Sequence, residues 1–274
     1  MSDIKCFASI CKKNLAKIIN FVHFTDKFRT KIKHVRMTKL SVNINKIATL
    51  RNARGGNVPN VLEAAIKIQE FGADGITVHP RPDERHIKYS DVYEMRSFIM
   101  KEFNIEGYPD NKFLDLIITV KPDQVTLVPD APQVLTSNIG WDVITNYTFL
   151  KEMIAEIHKY NMRVSVFVDP NIPHIESAAK AGADRIELYT EPYATNFPVN
   201  KKNAIEPFIK AAIFAKKVGL GLNSGHDLNL QNLKYYDENI PDLLEVSIGH
   251  ALISDALYFG LENVVQMYKR QLGD

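Results

Sequence analysis

Histidine and carboxylate side chains recur along this chain where short apolar runs end. His79, Glu106 and His226 follow or close such runs, and His86 and His250 lie close to two of them. Imidazole titrates near neutral pH and a carboxylate accepts protons, so both suit general acid/base catalysis. One such residue alone is more often a capping or hydrogen-bonding group. Several around one opening predict proton-transfer chemistry.

Two Gly-His pairs, in NSGHDL (223–228) and SIGHAL (247–252), indicate an anion site. Glycine amides and a following helix N-terminus would offer several N–H donors to a phosphate, and the histidine adds another. Arg51, Arg54 and Arg81 could hold a second phosphate through paired guanidinium contacts, or they could form surface ion pairs. We therefore expect a phosphorylated substrate.

Missing residue types narrow the chemistry further. A Schiff-base lysine should lie within a strand, yet the strands predicted after the first contain no lysine, and Lys46 is the nearest candidate. A metal-dependent hydrolase needs converging histidine and carboxylate ligands, which Asp169, Glu187 and His226 could in principle supply. A metal ion is disfavoured rather than excluded, and we expect no cofactor.

The elements that must position these residues alternate between strand-like and helix-like segments from residue 39 onward. Such alternation is typical of a parallel α/β sheet. Eight strands are predicted, at residues 39–44, 75–79, 104–106, 124–128, 163–168, 185–189, 219–223 and 244–248. Eight βα units in about 240 residues favour an α/β fold of the (β/α)8 TIM-barrel type. An open doubly wound sheet is the alternative, but no Gly-rich dinucleotide turn follows the first strand.

Helices are predicted at residues 61–71, 92–103, 147–160, 174–181 and 204–217. Gly72 and Gly182 should end two of them in a left-handed conformation. In a TIM barrel, we expect the strand bodies to be packed with apolar side chains and the polar groups to collect at the C-terminal strand ends. Residues 37–274 are interpreted as one catalytic barrel domain, and the connection 129–141 as a candidate lid.

Charge and cysteine content separate the first 36 residues from the rest. Nine Lys or Arg and two Asp lie in residues 1–36, so this segment carries +7 and the remainder carries −5 of the total of +2. Both cysteines, Cys6 and Cys11, lie there too. We interpret residues 1–36 as a short basic extension, or as sequence upstream of a true start at Met37.

The acidic body makes nucleic acid an unlikely partner, since binding to phosphate backbones needs a concentrated basic surface. No apolar run reaches the roughly 18 to 20 residues that span a bilayer, and no secretory signal opens the chain. The sequence therefore predicts a cytoplasmic protein without a membrane partner.

Several motifs resemble those of the pyridoxine 5′-phosphate synthase family. They are SVNINKIATLRNARGG (41–56), GADGITVHPRPDERHI (72–87), NIEG (104–107), RIELYTEPYA (185–194), LNSGHDLNLQNL (222–233) and SIGHALISDAL (247–257). The resemblance runs from about residue 39 to the C-terminus, in order. It implies a homo-oligomeric TIM-barrel transferase of vitamin B6 biosynthesis, with an octamer as one form. The substrates would be 3-amino-2-oxopropyl phosphate and 1-deoxy-D-xylulose 5-phosphate, and the products pyridoxine 5′-phosphate, phosphate and water.

The resemblance also implies roles for individual residues. His79 and Glu106 would be general bases, and His226 a general acid. Contacts to the pentulose phosphate would fall on Asn45, Lys46, Arg81, His86 and Thr136. Contacts to the aminoketone phosphate would fall on Asn43, Arg54, Asp227, Gly249 and His250.

This chain departs from the family pattern at two places. Asn45 and Lys46 stand where the family often has Asp-His, which removes an acid and an imidazole. Asp227 stands where some members have Gly, and we expect its side chain to point away from any phosphate. Another phosphosugar-handling barrel, such as an isomerase or aldolase, and a non-catalytic ligand-binding barrel remain alternatives.

Overall fold

A computed structural model describes residues 38–129 and 139–273. Eight parallel strands close into a barrel in chain order, with β8 pairing β1. Their bounds are β1 Lys39–Asn43, β2 Gly75–Val78, β3 Glu102–Gly107, β4 Gln124–Leu127, β5 Arg163–Val168, β6 Arg185–Tyr189, β7 Gly221–His226 and β8 Leu243–Ile248. The predicted (β/α)8 barrel is confirmed. The predicted extension, residues 1–36, lies outside the described residues, as does most of the predicted lid.

Helices surround the strands. Those in the described residues are α1 Asn45–Asn52, α2 Val61–Glu70, α3 Tyr89–Met95, α4 Asn111–Val120, α5 Tyr147–His158, α6 Ile172–Ala181, α7 Glu191–Asn196, α8 Lys201–Lys217, α9 Leu233–Asn239, α10 His250–Phe259 and α11 Leu261–Gln271. None of these helices has the length and apolar character needed to cross a membrane.

Local signals set several helix ends. The side chain of Asn60 accepts a hydrogen bond from the Glu63 amide and caps the start of α2. Gly182 ends α6 with φ of 97°, and Gly72 follows α2 with φ of 100°. Both glycines take the left-handed conformation that was predicted for them. Each of these two glycines therefore ends its helix shortly before the next strand begins.

Alternate residues of each strand face either the helices or the centre of the barrel, and these two interiors differ in polarity. Outward residues such as Leu40, Val42 and Ile76 pack beneath the helices and are fully buried in the main apolar core. The inward residues of several strands are polar and buried, and two of them, Ser41 and Thr77, hydrogen-bond each other at 2.7 Å. The expectation of apolar packing inside the barrel is therefore wrong. Polar side chains can lie there because they satisfy one another across neighbouring strands.

The polar interior continues to the N-terminal end of the barrel, which we call the floor. The floor consists of five charged residues, Lys39, Glu102, Arg163, Arg185 and Glu245. Glu102 forms ion pairs with Arg163 and with Lys39, the latter at 3.2 Å. Arg185 Nη1 lies 3.8 Å from Glu245 Oε2. The floor thus closes the barrel with mutually paired charges.

Several element boundaries differ from the sequence prediction by one or more residues, and two of these differences change which element a segment belongs to. The helix predicted at 92–103 is α3, which ends at Met95, and Glu102 already opens β3. The seventh strand extends to His226, so Asn223 is buried in the middle of β7 rather than at the end of its strand. Its side chain accepts a hydrogen bond from Arg185 Nη1 at 3.1 Å. Glycine and serine in NSGH suggested a loop, but the neighbouring strands impose extended pairing.

Candidate active site

The C-terminal ends of β1, β2 and β3 bring three predicted site residues together at the opening that we call the mouth. His79 directly follows β2, and its Nδ1 lies 3.9 Å from Glu106 Oε2 on β3. Asn43, the last residue of β1, donates from Nδ2 to the same carboxylate oxygen at 3.4 Å. His79 and Glu106 are both at least nine-tenths buried. An imidazole and a carboxylate thus share one polar corner of the mouth.

Asn45 connects β1 to this corner. Its Oδ1 accepts a hydrogen bond from the backbone N–H of His79 at 2.9 Å, and its own N–H donates to Asn43 Oδ1 at 3.0 Å. An aspartate, the residue that the resemblance leads us to expect at this position, could accept the same bond from His79. The amide therefore keeps the positioning contact and removes a negative charge from the mouth.

Buried His79 and partly buried His86 are held neutral at the mouth. Burial lowers the pKa of His79 to about 3, with further lowering from the charges of His86 and Arg81. Burial also lowers the pKa of His86 to about 4, and the cations of Arg81 and Lys46 add to the effect. The two rings meet edge to face with centroids 6.2 Å apart. At neutral pH both rings are therefore uncharged.

The structure also indicates which nitrogen of His86 bears hydrogen. The backbone N–H of Ile87 donates to His86 Nδ1 at 2.9 Å, so Nδ1 must carry a lone pair. The neutral ring therefore has its proton on Nε2. His86 presents an N–H donor, as a substrate oxygen or phosphate would require.

Glu187, an inward residue of β6, was expected at the C-terminal end of its strand and weighed as a metal ligand, but it was given no catalytic or substrate-binding role. Burial raises its pKa well above the usual range, and the charge of Glu106 adds to the rise. Its Oε2 is buried without a hydrogen-bond partner in the described parts of the chain. A carboxyl group in this environment favours its protonated form. The sequence signal that could have identified it is a charged residue at an inward position of a strand.

His226 occupies the other side of the mouth. It ends β7 with φ of 76°, an uncommon left-handed conformation for a residue other than glycine. Its Nδ1 lies 2.6 Å from Asp227 Oδ2, and Tyr189 contacts its ring edge at a centroid distance of 5.5 Å. The expectation for Asp227 must be refined, because its carboxylate turns toward His226. An ion pair with Asp227 stabilises the imidazolium, the form that a general acid needs.

The two Gly-His pairs differ in structure. Gly225 is buried within β7, and a Cβ there would lie 2.5 Å from Ser247 O and 2.9 Å from Glu187 Oε1. Glycine is required at this position by packing, so the first pair does not form the exposed amide loop that was expected. Gly249 instead precedes α10, and His250 is the first residue of that helix. Only the second pair presents a helix N-terminus.

The three candidate arginines also lie in different settings. Arg81 is buried and lies near His79 and His86, whose pKa values its charge lowers. Arg51 is buried in a bidentate pair with Asp91, so its guanidinium is occupied within the protein. Arg54 lies in the exposed turn that follows α1. Thr136 is outside the described residues.

The groups that could hold a metal ion are limited. Within residues 38–129 and 139–273, no group of three or more His, Cys, Asp or Glu is arranged to bind one. Asp169 Oδ2 accepts a hydrogen bond from the Gly140 amide at 3.1 Å. Asp169 thus anchors the end of the predicted lid.

Comparison with known families decides between the barrel types left open by the sequence. The family model described as "Pyridoxal phosphate biosynthesis protein PdxJ" matches residues 40–274. This chain belongs to the PdxJ family. The family resemblance stated from the motifs is thereby confirmed.

PdxJ relatives with curated names share much of the sequence. A pyridoxine 5′-phosphate synthase of Bacteroides fragilis is 63% identical over 236 residues, which are 86% of this chain and 100% of that protein. The protein of the same name from Cytophaga hutchinsonii is 62% identical over 236 residues, 86% of this chain and 99% of its own length.

A solved structure supports the barrel of this PdxJ member. Phosphoribosylanthranilate isomerase from Thermotoga maritima superposes with a TM-score of 0.54 at 16% identity, covering 86% of this chain and 99% of the isomerase. At such low identity the likeness concerns the fold alone.

Proposed function

We propose that this chain condenses 3-amino-2-oxopropyl phosphate with 1-deoxy-D-xylulose 5-phosphate to form pyridoxine 5′-phosphate, releasing phosphate and water. The observation that carries the proposal is the mouth itself. Neutral His79, 3.9 Å from Glu106, faces a set of further acid/base groups in a chain that is 63% identical to a pyridoxine 5′-phosphate synthase. Such a condensation requires several protons to move in both directions, and the mouth contains groups suited to both.

We assign the role of each side chain at the mouth from its protonation state. His79 and Glu106 act as bases toward the condensing amine and carbon centres, because a neutral imidazole and a carboxylate can each accept a proton. His226, paired with Asp227, acts as the acid that protonates a departing group. Glu187 has a raised pKa and lies near enough to Glu106 and His226 to feel their charges. It supplies a neutral hydrogen-bond donor between them.

The substrate's own amine forms the imine, so no enzyme lysine is needed. The reaction as proposed also requires no metal ion or organic cofactor. These features agree with the residue types found at the mouth.

The two phosphates would bind at different parts of the mouth. The N-terminus of α10, with Gly249 and His250, offers backbone N–H groups and a favourable helix dipole to the aminoketone phosphate. Asn43 packs against Gly249, since a Cβ on that glycine would lie 3.0 Å from the Asn43 Cβ. We assign Arg54 and the backbone amide of Asp227 to this half from the family resemblance, since the Asp227 carboxylate turns toward His226. The aminoketone would thus bind between β1 and β8.

The pentulose phosphate would bind at the β1–β2 side. Arg81, Lys46 and the Nε2–H of His86 supply positive charge and a donor there. Asn45 joins this group through its contact with the His79 backbone. Thr136 is assigned to it from the resemblance.

The proposal also covers the location, assembly and domain division of the enzyme. We infer a cytoplasmic homo-oligomer, with an octamer as the form that the resemblance suggests, and no nucleic-acid or membrane partner. The division into a basic extension, residues 1–36, and a catalytic barrel, residues 37–274, belongs to the same proposal. Comparing the melting temperature of protein begun at Met37 with that of the full chain tests this division.

The function is tested by supplying the two ketone phosphates together and separately. We expect a pyridine chromophore and free phosphate only when both are present. Turnover of a single phosphosugar would instead indicate an isomerase or aldolase. Absence of product under every pairing would indicate a ligand-binding barrel.

A further inference from the structure

Arg51 lies in α1, outside the set of residues to which the proposed function gives a role. Its Nη1 and Nη2 contact the two carboxylate oxygens of Asp91 at 2.6 and 2.9 Å. The same Nη2 donates to the backbone carbonyl oxygen of His86 at 3.2 Å. The residue is only 4% exposed. Arg51 therefore joins α1, α3 and the loop that carries His86.

Asn52, the next residue of α1, reaches the same carbonyl group. Its Nδ2 donates to His86 O at 2.8 Å and to Arg85 O at 3.2 Å. Its Oδ1 accepts from Arg51 Nε at 3.0 Å. We call Arg51 and Asn52 the α1 clamp. The clamp places two donors on one backbone oxygen.

The peptide bond held by the clamp is the one that sets the state of His86. The carbonyl of His86 and the N–H of Ile87 belong to the same planar peptide unit. That N–H donates to His86 Nδ1. Holding the oxygen at one edge of the plane therefore aims the N–H at the ring and leaves the ring proton on Nε2.

Asp91 makes the clamp rigid. Its Oδ2 accepts from the backbone N–H of Lys88 at 2.8 Å while it binds Arg51. The loop is thus fixed on both sides of the His86–Ile87 peptide. A bidentate pair of this kind fixes orientation as well as distance, which a single lysine ammonium cannot reproduce.

We propose that Arg51 and Asn52 are positioning residues, which hold the His86–Ile87 peptide so that His86 presents its Nε2–H to the phosphorylated pentulose. The proposal rests on the proposed function for the identity of that substrate. Neither side chain contacts substrate, and both act through His86.

Arg51→Lys and Asn52→Asp test the clamp. The first keeps the positive charge but loses the second donor arm, and the second removes the donor to the His86 carbonyl while keeping the side-chain shape. We expect the KM for 1-deoxy-D-xylulose 5-phosphate to rise about tenfold, equivalent to the loss of one good hydrogen bond. The kcat and the KM for the aminoketone phosphate should change less than about twofold.

Lys269→Met is the matched control, since it breaks a partly buried ion pair of 2.8 Å with Asp74, which precedes β2 at the opposite end of that strand from His79. It should lower the melting temperature without changing either KM. An equal rise in both KM values, or a lowered melting temperature with unchanged kinetics in the clamp variants, would overturn the proposal.

A direct reading of the His86 ring separates this proposal from the proposed function. Nitrogen NMR of histidine-labelled protein should show His86 as the Nε2–H tautomer in the wild type and as a tautomer mixture in Asn52→Asp. An unchanged tautomer in that variant would contradict the clamp. The NMR measurement tests the clamp even if the wild type forms no product. If Arg51→Lys does not fold, Asn52→Asp alone tests the proposal.

Discussion

Glu187 and Glu245 are both buried carboxyl groups inside one barrel, but they lie among different neighbours. Glu245, on the floor, lies beside Arg185 and shares a hydrogen bond with Glu102, which is itself paired with Arg163. The Glu245 carboxyl therefore has its partners within the protein. Glu187, toward the mouth, has an oxygen without a partner in the described residues. A buried carboxyl group with such an oxygen can form a hydrogen bond to a substrate.

One group from each region, His79 at the mouth and Glu245 on the floor, makes stability depend on pH with opposite sign. His79 has a pKa of about 3 in the fold against about 6.5 in an unfolded chain, so the unfolded state binds more protons between these values and stability is lost as pH falls. Burial, together with the charge of Glu102, raises the pKa of Glu245 to about 8. The folded state then binds more protons from about pH 4.5 to 8, and stability is lost as pH rises.

The largest expected effect is on turnover at the mouth. His79→Gln keeps a polar side chain of similar reach but removes the base, so kcat should fall by about a hundredfold or more. Steady-state assay with both substrates measures it, and circular dichroism confirms the fold. Near-normal kcat in a folded variant would exclude His79 as the base.

Asp227→Asn should give a smaller loss at the same mouth. The amide can still contact His226, but it no longer stabilises the imidazolium, so we expect kcat to fall about tenfold with both KM values little changed. A pH–rate profile tests this reason, because the limb that reports deprotonation of His226 should move to lower pH. An unmoved profile would mean that Asp227 serves only the backbone conformation of His226.

Glu245→Gln is expected to have the smallest effect, and on stability alone. Removing this ionisable group should flatten the fall in unfolding free energy between pH 6.5 and 8, by at most about 1.4 kcal/mol per pH unit. Urea unfolding at constant protein concentration across that range measures the slope. A slope identical to that of the wild type would show that Glu245 does not hold the extra proton.

The sequence predicted the barrel and the residues at the strand ends, because strand alternation and Gly turns are local signals. It did not predict the polar interior, since Ser41 and Thr77 satisfy each other only across the β1–β2 pair. For the same reason no role for Glu187 at the mouth could be predicted from the sequence. Its environment depends on Glu106 and His226, which lie far away in sequence but close across the barrel.

The C-terminal end of β7 shows a second limit of prediction from the sequence. Gly225 and His226 have the composition of a loop, and only pairing with β6 and β8 makes them a strand. By contrast, the contact of Asp227 with His226 was not predicted, because it depends on one side-chain rotamer. A sequence gives no direct information on which way a short carboxylate turns.

The central claim is that proton transfer is confined to the mouth and that the floor only closes the barrel. Glu106→Gln and Glu245→Gln make the same carboxyl-to-amide change in the two regions, so their turnover with both ketone phosphates tests it most directly. We predict that Glu106→Gln lowers kcat by about a hundredfold or more, while Glu245→Gln stays within about twofold of the wild type. Similar losses in the two variants, or near-normal turnover by Glu106→Gln, would contradict the account.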